Sequence, residues 1–156
     1  MQPETIHIGI DPGKDGAVAF LFEDGAEVFD FEDGEALIRL RAHAAARADG
    51  LVLVHAFIEK VSAMPKQGVS STFKFGANFG QWVGRLEALG VPFDFVTPQK
   101  WKRAVFDSMP KGDAKAMALD RARRMFPELG DRLKRKRDHG RAEALLIAAY
   151  ARKAGR

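Results

Sequence analysis

The 156-residue chain has no cysteine, which excludes a disulfide framework and any thiolate metal site. Nothing in it therefore suggests an oxidising compartment. It also has no long apolar run: no uninterrupted stretch approaches the ~20 residues that a membrane-spanning helix needs, and the N-terminus lacks the basic segment and apolar run of a secretory signal. A cytoplasmic protein with no membrane partner is the expectation. Acidic residues are scarce in one part of the chain only. Residues 97–156 carry 17 Lys and Arg against 7 Asp and Glu, whereas residues 1–96 carry 8 against 14. Positive charge concentrated in this way suits a polyanion, with nucleic acid the usual candidate, although a solvated basic face is the plainer alternative. With 46% hydrophobic and 29% charged residues, residues 1–156 read as one globular domain able to close a single core.

What is present begins with IHIGIDPGKDGAVAFLF, residues 6–22, where an apolar strand ends on Asp11, turns on Pro12 and Gly13, and gives way to a second apolar strand. A carboxylate at the end of a buried strand is costly without a partner, so either the turn or the chemistry must use it. Thr5–Ile10, Ala17–Phe22 and Ala26–Phe31 read as three strands of an antiparallel meander, joined by tight turns. Glu35–Ala48 reads as a helix, and the apolar run Leu51–Glu59 as a strand covered on both faces. The helix is then a crossover, which makes the fourth strand parallel to the first. Ser70–Leu89 reads as a helix, VPFDFV (91–96) as a fifth strand, and Gln99–Phe106, Ala114–Phe126 and Arg141–Arg152 as helices. The segment DRLKRKRD (131–138) reads as a charged loop or a frayed helix end. The class is α/β.

Strand pleating places His7, Gly9 and Asp11 on one face of the first strand, and His55, Phe57 and Glu59 together on the fourth. If these strands are parallel neighbours, Asp11 and Glu59 emerge at the same sheet edge, where open α/β sheets place their sites. A third acid, Glu143, sits in RAEALLIAAYARK, a helix apolar nearly all round and hence packed into the core. Asp138 and His139 lie just before it, close enough for one of them to join Glu143. Clustered carboxylates repel and have their pKa values raised unless a cation intervenes. Oxygen ligands with at most one imidazole suit Mg²⁺ or Mn²⁺.

Three segments carry a family resemblance: IGIDPGKDGAVAF, then IEKVSAMPKQGVSSTFKFGANFGQWVGRLEALGVPFDFVTPQKWKRAV, then DHGRAEALLIAAYAR. Together they resemble the RuvC family of Holliday junction resolvases, within the RNase H-like nuclease superfamily, over almost the whole chain. The tail is most similar to phage-type or prophage-type members. The resemblance implies an RNase H-like fold with a five-stranded mixed sheet, three strands antiparallel and the rest parallel, flanked by helices. It also implies a homodimer, four-way or branched DNA as partner, and crossover-junction endonuclease activity with divalent metal, two Mg²⁺ or Mn²⁺ per site and no organic cofactor. Asp11, Glu59 and Glu143 match the first, second and last acidic ligands of the family. The bacterial penultimate ligand lies three residues before the last, where this chain has Gly140. Asp138 is the favoured substitute, since an acid before the helix can be both N-cap and ligand, with His139 as the alternative. Lys102 and Lys115 resemble family lysines near the scissile phosphate.

For DNA contact, the segment Ser62–Phe79 offers a polar loop with Lys66 and Lys74, and aromatics able to stack on unpaired bases. By resemblance, Phe73 or Phe75 is the residue that wedges into the branch point, whereas Phe79 and Trp82 read as core. The run Lys134, Arg135, Lys136 and Arg137 would bring positive charge to the metal edge. His7 and His55 read as hydrogen-bonded core histidines, His43 as surface helix, and Trp101 as packing under the basic helix. Two rivals stand beside the nuclease: a non-catalytic branched-DNA-binding module, and an actin-like ATP-binding domain, against which the short chain argues.

Overall fold

The structure, a computed structural model, describes residues 2–60, 62 and 65–155. Of the loop read at Ser62–Phe79, Ala63 and Met64 lie outside the described residues, as do Val61 and the chain ends Met1 and Arg156. The elements run β1 (Glu4–Asp11), β2 (Ala17–Phe22), β3 (Gly25–Asp30), α1 (Gly34–Ala48), β4 (Val52–Glu59), α2 (Val69–Ala88), β5 (Phe93–Val96), α3 (Pro98–Phe106), α4 (Ala114–Met125) and α5 (His139–Lys153). Two short 3₁₀ turns, Pro127–Arg132 and Lys136–Asp138, occupy the charged segment before α5.

The five strands form one sheet in the order β3-β2-β1-β4-β5. β1 is antiparallel to β2 and parallel to β4, with Ile10 opposite Ile58. Asp11 and Glu59 each follow directly on that pair, so the crossover through α1 delivers both acids to one edge, as the strand pattern requires. β4 departs from expectation at its start. Leu51 lies outside the strand and Leu53 is 54% exposed, because β5 pairs only with the later residues Ala56–Glu59.

The sheet separates two apolar layers. On one face Ile6, Ile8, Ile10, Phe20 and Ile58 pack against Leu40 of α1 and Trp82 and Leu86 of α2. On the other, Ala17, Ala19, Leu21 and Phe57 meet Ala144, Leu145 and Ala148 of α5, with Leu119 of α4 and Trp101 of α3. Each of the Leu, Ile and Phe side chains removed from water stabilises the fold by roughly 1.5–3 kcal/mol. α1, α3 and α4 start on side-chain caps: Asp33 accepts from the Glu35 amide, Thr97 from Lys100 with Pro98 following, and Asp113 from Ala116.

α5 lies against the sheet at unusually short range. A Cβ on Gly9 would sit 2.1 Å from the Ala144 carbonyl oxygen, and one on Gly140 would sit 1.8 Å from that of Asp15. Only glycine permits these approaches. They bring the first turns of α5 down onto the end of β1 and the β1–β2 turn. His43 corrects the surface reading: it is half-buried, with its ring 5.2 Å from Phe20 and 5.5 Å from Phe22 between centroids. Among the described residues, no helix is long and apolar enough to cross a membrane.

Candidate metal centre and nucleic-acid surface

Asp11 ends β1, Glu59 ends β4, and Glu143 lies one turn into α5. One ligating oxygen from each falls within 4.8 Å of the others. Asp11 is 7% and Glu59 8% exposed. The turn and the cluster both use Asp11: its Oδ1 accepts from the Gly13 amide at 3.0 Å, as an Asx turn requires. Glu59 Oε2 accepts from the indole Nε1 of Trp101 at 2.5 Å.

The electrostatics follow from burial and crowding. Burial, and then the charge of Glu143, push the Asp11 carboxyl up to about 8. Burial and the charge of Asp11 push Glu59 to about 7, and burial and Glu59 raise Glu143. Lys102 opposes all three shifts and Lys115 that of Glu143, which places both lysines in the field of the cluster. Three carboxylates with raised affinity for positive charge, offering oxygen donors only, fit a hard divalent cation such as Mg²⁺ or Mn²⁺.

Asp138, the favoured fourth ligand, is not brought into this group. Its carboxylate is taken by Arg135, which donates from its backbone amide at 2.8 Å, from Nε at 3.0 Å and from Nη2 at 2.8 Å. Arg141 stands 3.7 Å away on the other side. Burial pushes the Asp138 carboxyl up, but its hydrogen bonds to Arg135 outweigh this and hold it below the usual range. Nor does its side chain cap α5. The fourth-ligand assignment is therefore corrected: two guanidinium groups and an amide satisfy Asp138 as an anchor. Arg141 extends the anchor to β3 through Asp30 at 2.6 and 2.7 Å. His139, the alternative, has a buried Nδ1 without a hydrogen-bond partner, and burial followed by the charge of Lys115 lowers its pKa. At position 140 the Asp15 carbonyl leaves no room for a side chain, so glycine stands there and offers no ligand.

The candidate DNA contacts divide. Lys66, Lys74 and Lys134–Arg137 are exposed, and Phe73 is 78% exposed. Phe75 instead stacks on Phe79, which stacks on Phe95, so it belongs to an aromatic ladder along α2 and β5. Lys14, which sequence reasoning passed over, lines one cleft with Arg135 and Arg137 and another with Ser70, Ser71 and Lys74. It thus joins the basic run before α5 to the start of α2 across the β1–β2 turn. Trp101 was also missed as a site residue, since its partner Glu59 lies 42 positions away. His55 is bonded to Asp94 at 2.8 Å.

This fold is the RNase H-like fold of RuvC. RuvC of T. thermophilus in complex with a Holliday junction substrate matches with a TM-score of 0.54 at 19% identity, covering 99% of this chain and 97% of that one. A second Thermus thermophilus RuvC structure matches with a TM-score of 0.51 at 19% identity, covering 96% of each chain. In sequence, the chloroplastic Holliday junction resolvase MOC1 of Chlamydomonas reinhardtii is 32% identical over 100 residues, 64% of this chain. The chain spans only 11% of the length of that relative. No protein-family model matches the chain.

Two outcomes follow for the metal-free protein. Asp11 and Glu59 have folded pKa values above their unfolded ones, so stability from these groups is fully present at low pH and is lost as pH rises through about 7 to 8. The buried His43 and His139, whose pKa values are lowered, act in the opposite direction only below about pH 6.5. Between about pH 6.5 and 8 the melting temperature of the protein should therefore fall, Mg²⁺ should restore it, and Asp11→Asn should flatten the decline. A metal-independent plateau over that range contradicts the cluster electrostatics. Asp138→Asn should lower stability by about 2 kcal/mol in urea denaturation, through loss of charged hydrogen bonds, while keeping wild-type Mn²⁺ affinity. Loss of Mn²⁺ binding with unchanged stability would restore Asp138 as a ligand.

Proposed function

We propose that residues 1–156 form a single-domain, divalent-metal-dependent endonuclease that cleaves four-way or other branched DNA as a homodimer. The convergence of Asp11, Glu59 and Glu143 within 4.8 Å, from two parallel strands and a helix, carries this reading. The RuvC fold and the similarity to a Holliday junction resolvase support it. The three carboxylates hold the ions, and His139, the alternative fourth donor, is not among the groups gathered within 4.8 Å. Bound Mg²⁺ or Mn²⁺, two to a site, supplies Lewis-acid activation of water and of the leaving oxygen in phosphodiester hydrolysis.

The chain's own residues do the rest. Lys102 and Lys115 bring positive charge to the cluster, where they hold the scissile phosphate and stabilise charge developing on its oxygens. Asp11 and Glu143, whose carboxyl groups are shifted toward the protonated form by burial and by neighbouring acids, give up protons when cations load the site. Lys14, Arg135, Arg137 and Lys74 offer cations to the backbone, the first three from a cleft that also carries Asp15, Asp30, Glu32 and Asp33, with Lys66, Lys134 and Lys136 flanking it. Phe73 is the aromatic free to meet an unpaired base. A four-way junction has two-fold symmetry, so a dimer with two such centres cuts opposing strands in pairs.

Asp11→Asn should shift a four-way junction in a gel with near wild-type affinity and cut it at least 100-fold more slowly, an order set by loss of a metal ligand. Mixed with the wild-type chain, it should give nicked, unresolved junctions. Cutting at the wild-type rate overturns the assignment, and a wild-type protein that binds junctions with Mg²⁺ present but never cuts them favours the non-catalytic binding module.

A further inference from the structure

α3 starts on a Thr97 cap with Pro98 behind it and runs for nine residues over the carboxyl ends of β4 and β5. Its side chains at 101 and 102 have opposite fates. Trp101 is fully buried, packed in the layer with Phe57, Val96 and Leu145. Lys102 remains outside, with its Nζ 5.4 Å from the centre of the Trp101 ring, a cation–π distance. The indole thus touches both an acid of the cluster and a cation that acts on all three acids.

A buried indole N–H needs an acceptor, and a phenylalanine would fill most of the same space without that need. The acceptor here is a carboxylate oxygen of the cluster rather than one of the nearby backbone carbonyls. The bond fixes the rotation of the Glu59 carboxyl group at the end of β4. A glutamate whose carboxyl plane is set beforehand loses less freedom when it takes a cation.

We propose that Trp101 is a positioning residue of the acidic centre: its indole N–H orients Glu59 toward the cation shared with Asp11 and Glu143, and its ring seats Lys102 over the same group. The assignment rests on the metal-dependent reading of the cluster. It goes beyond the carboxylates themselves by giving α3 a function in metal affinity as well as in packing.

The test is Trp101→Phe in the full chain, read by calorimetric titration with Mn²⁺ and by junction cutting over a range of Mn²⁺ concentrations. The variant should fold, bind Mn²⁺ about tenfold more weakly, and regain most of its cutting rate when Mn²⁺ is raised. Wild-type Mn²⁺ affinity and wild-type metal dependence of cutting in Trp101→Phe overturn the proposal and leave the nuclease reading intact. A wild-type chain that binds no Mn²⁺ overturns that reading and the proposal with it. Should Trp101→Phe fail to fold, Trp82→Phe decides: the chain has two tryptophans, so Trp101 becomes the single indole. Its emission should change as Mg²⁺ binds. Calorimetric binding of Mg²⁺ without any change in that emission overturns the proposal.

Discussion

Burial of three carboxylates against one another is the constraint around which this molecule is arranged. Burying Asp11, Glu59 and Glu143 within 4.8 Å of one another is unfavourable while they are charged, and the raised pKa values of Asp11 and Glu59 record first the burial and then the mutual repulsion. Folding is possible because the acids can keep protons when no cation is present. Surrounding groups limit the penalty further: the Gly13 amide and the Trp101 indole each hold one carboxylate, and Lys102 offsets all three. The same energy that weighs against the empty cluster favours a divalent cation in it.

Holding the cluster together requires rigidity from elements far apart in sequence. The parallel pairing of β1 with β4 sets the spacing of the first two acids. Gly9 and Gly140 let α5 descend far enough to deliver the third. Behind α5, the ion-pair chain from Asp30 through Arg141 and Asp138 to Arg135 ties its first turn to β3 and to the basic run. Arg135 thus serves the scaffold while lining the cleft that faces outward. Buried structural charge and outward-facing charge are interleaved in this segment, which its composition alone does not reveal.

Much of this was legible in the residue order. Alternation along IHIGID and LVLVHAFIE placed Asp11 and Glu59 on matching strand faces, and the apolar surround of Glu143 placed it in a core helix. Period and burial decide those matters, and both are local. Asp138 misled because its partner is set by a 3₁₀ turn that folds Arg135 back onto it, and such turns have no apolar period to announce them. Trp101 went unrecognised for a related reason, since the acceptor of its N–H is fixed by how α3 crosses the strand ends. Phe73 and Phe75 could not be told apart until the ladder through Phe79 to Phe95 claimed one of them. The uncovered start of β4 reflects the shortness of β5, and VPFDFV does not state how far it pairs.

The central claim is tested most directly by diffraction from crystals soaked in Mn²⁺, with anomalous scattering used to locate the metal. The account predicts manganese bounded by carboxylate oxygens of Asp11, Glu59 and Glu143 together. Manganese found only elsewhere on the surface, with these three acids left protonated and hydrogen-bonded to one another, would contradict it.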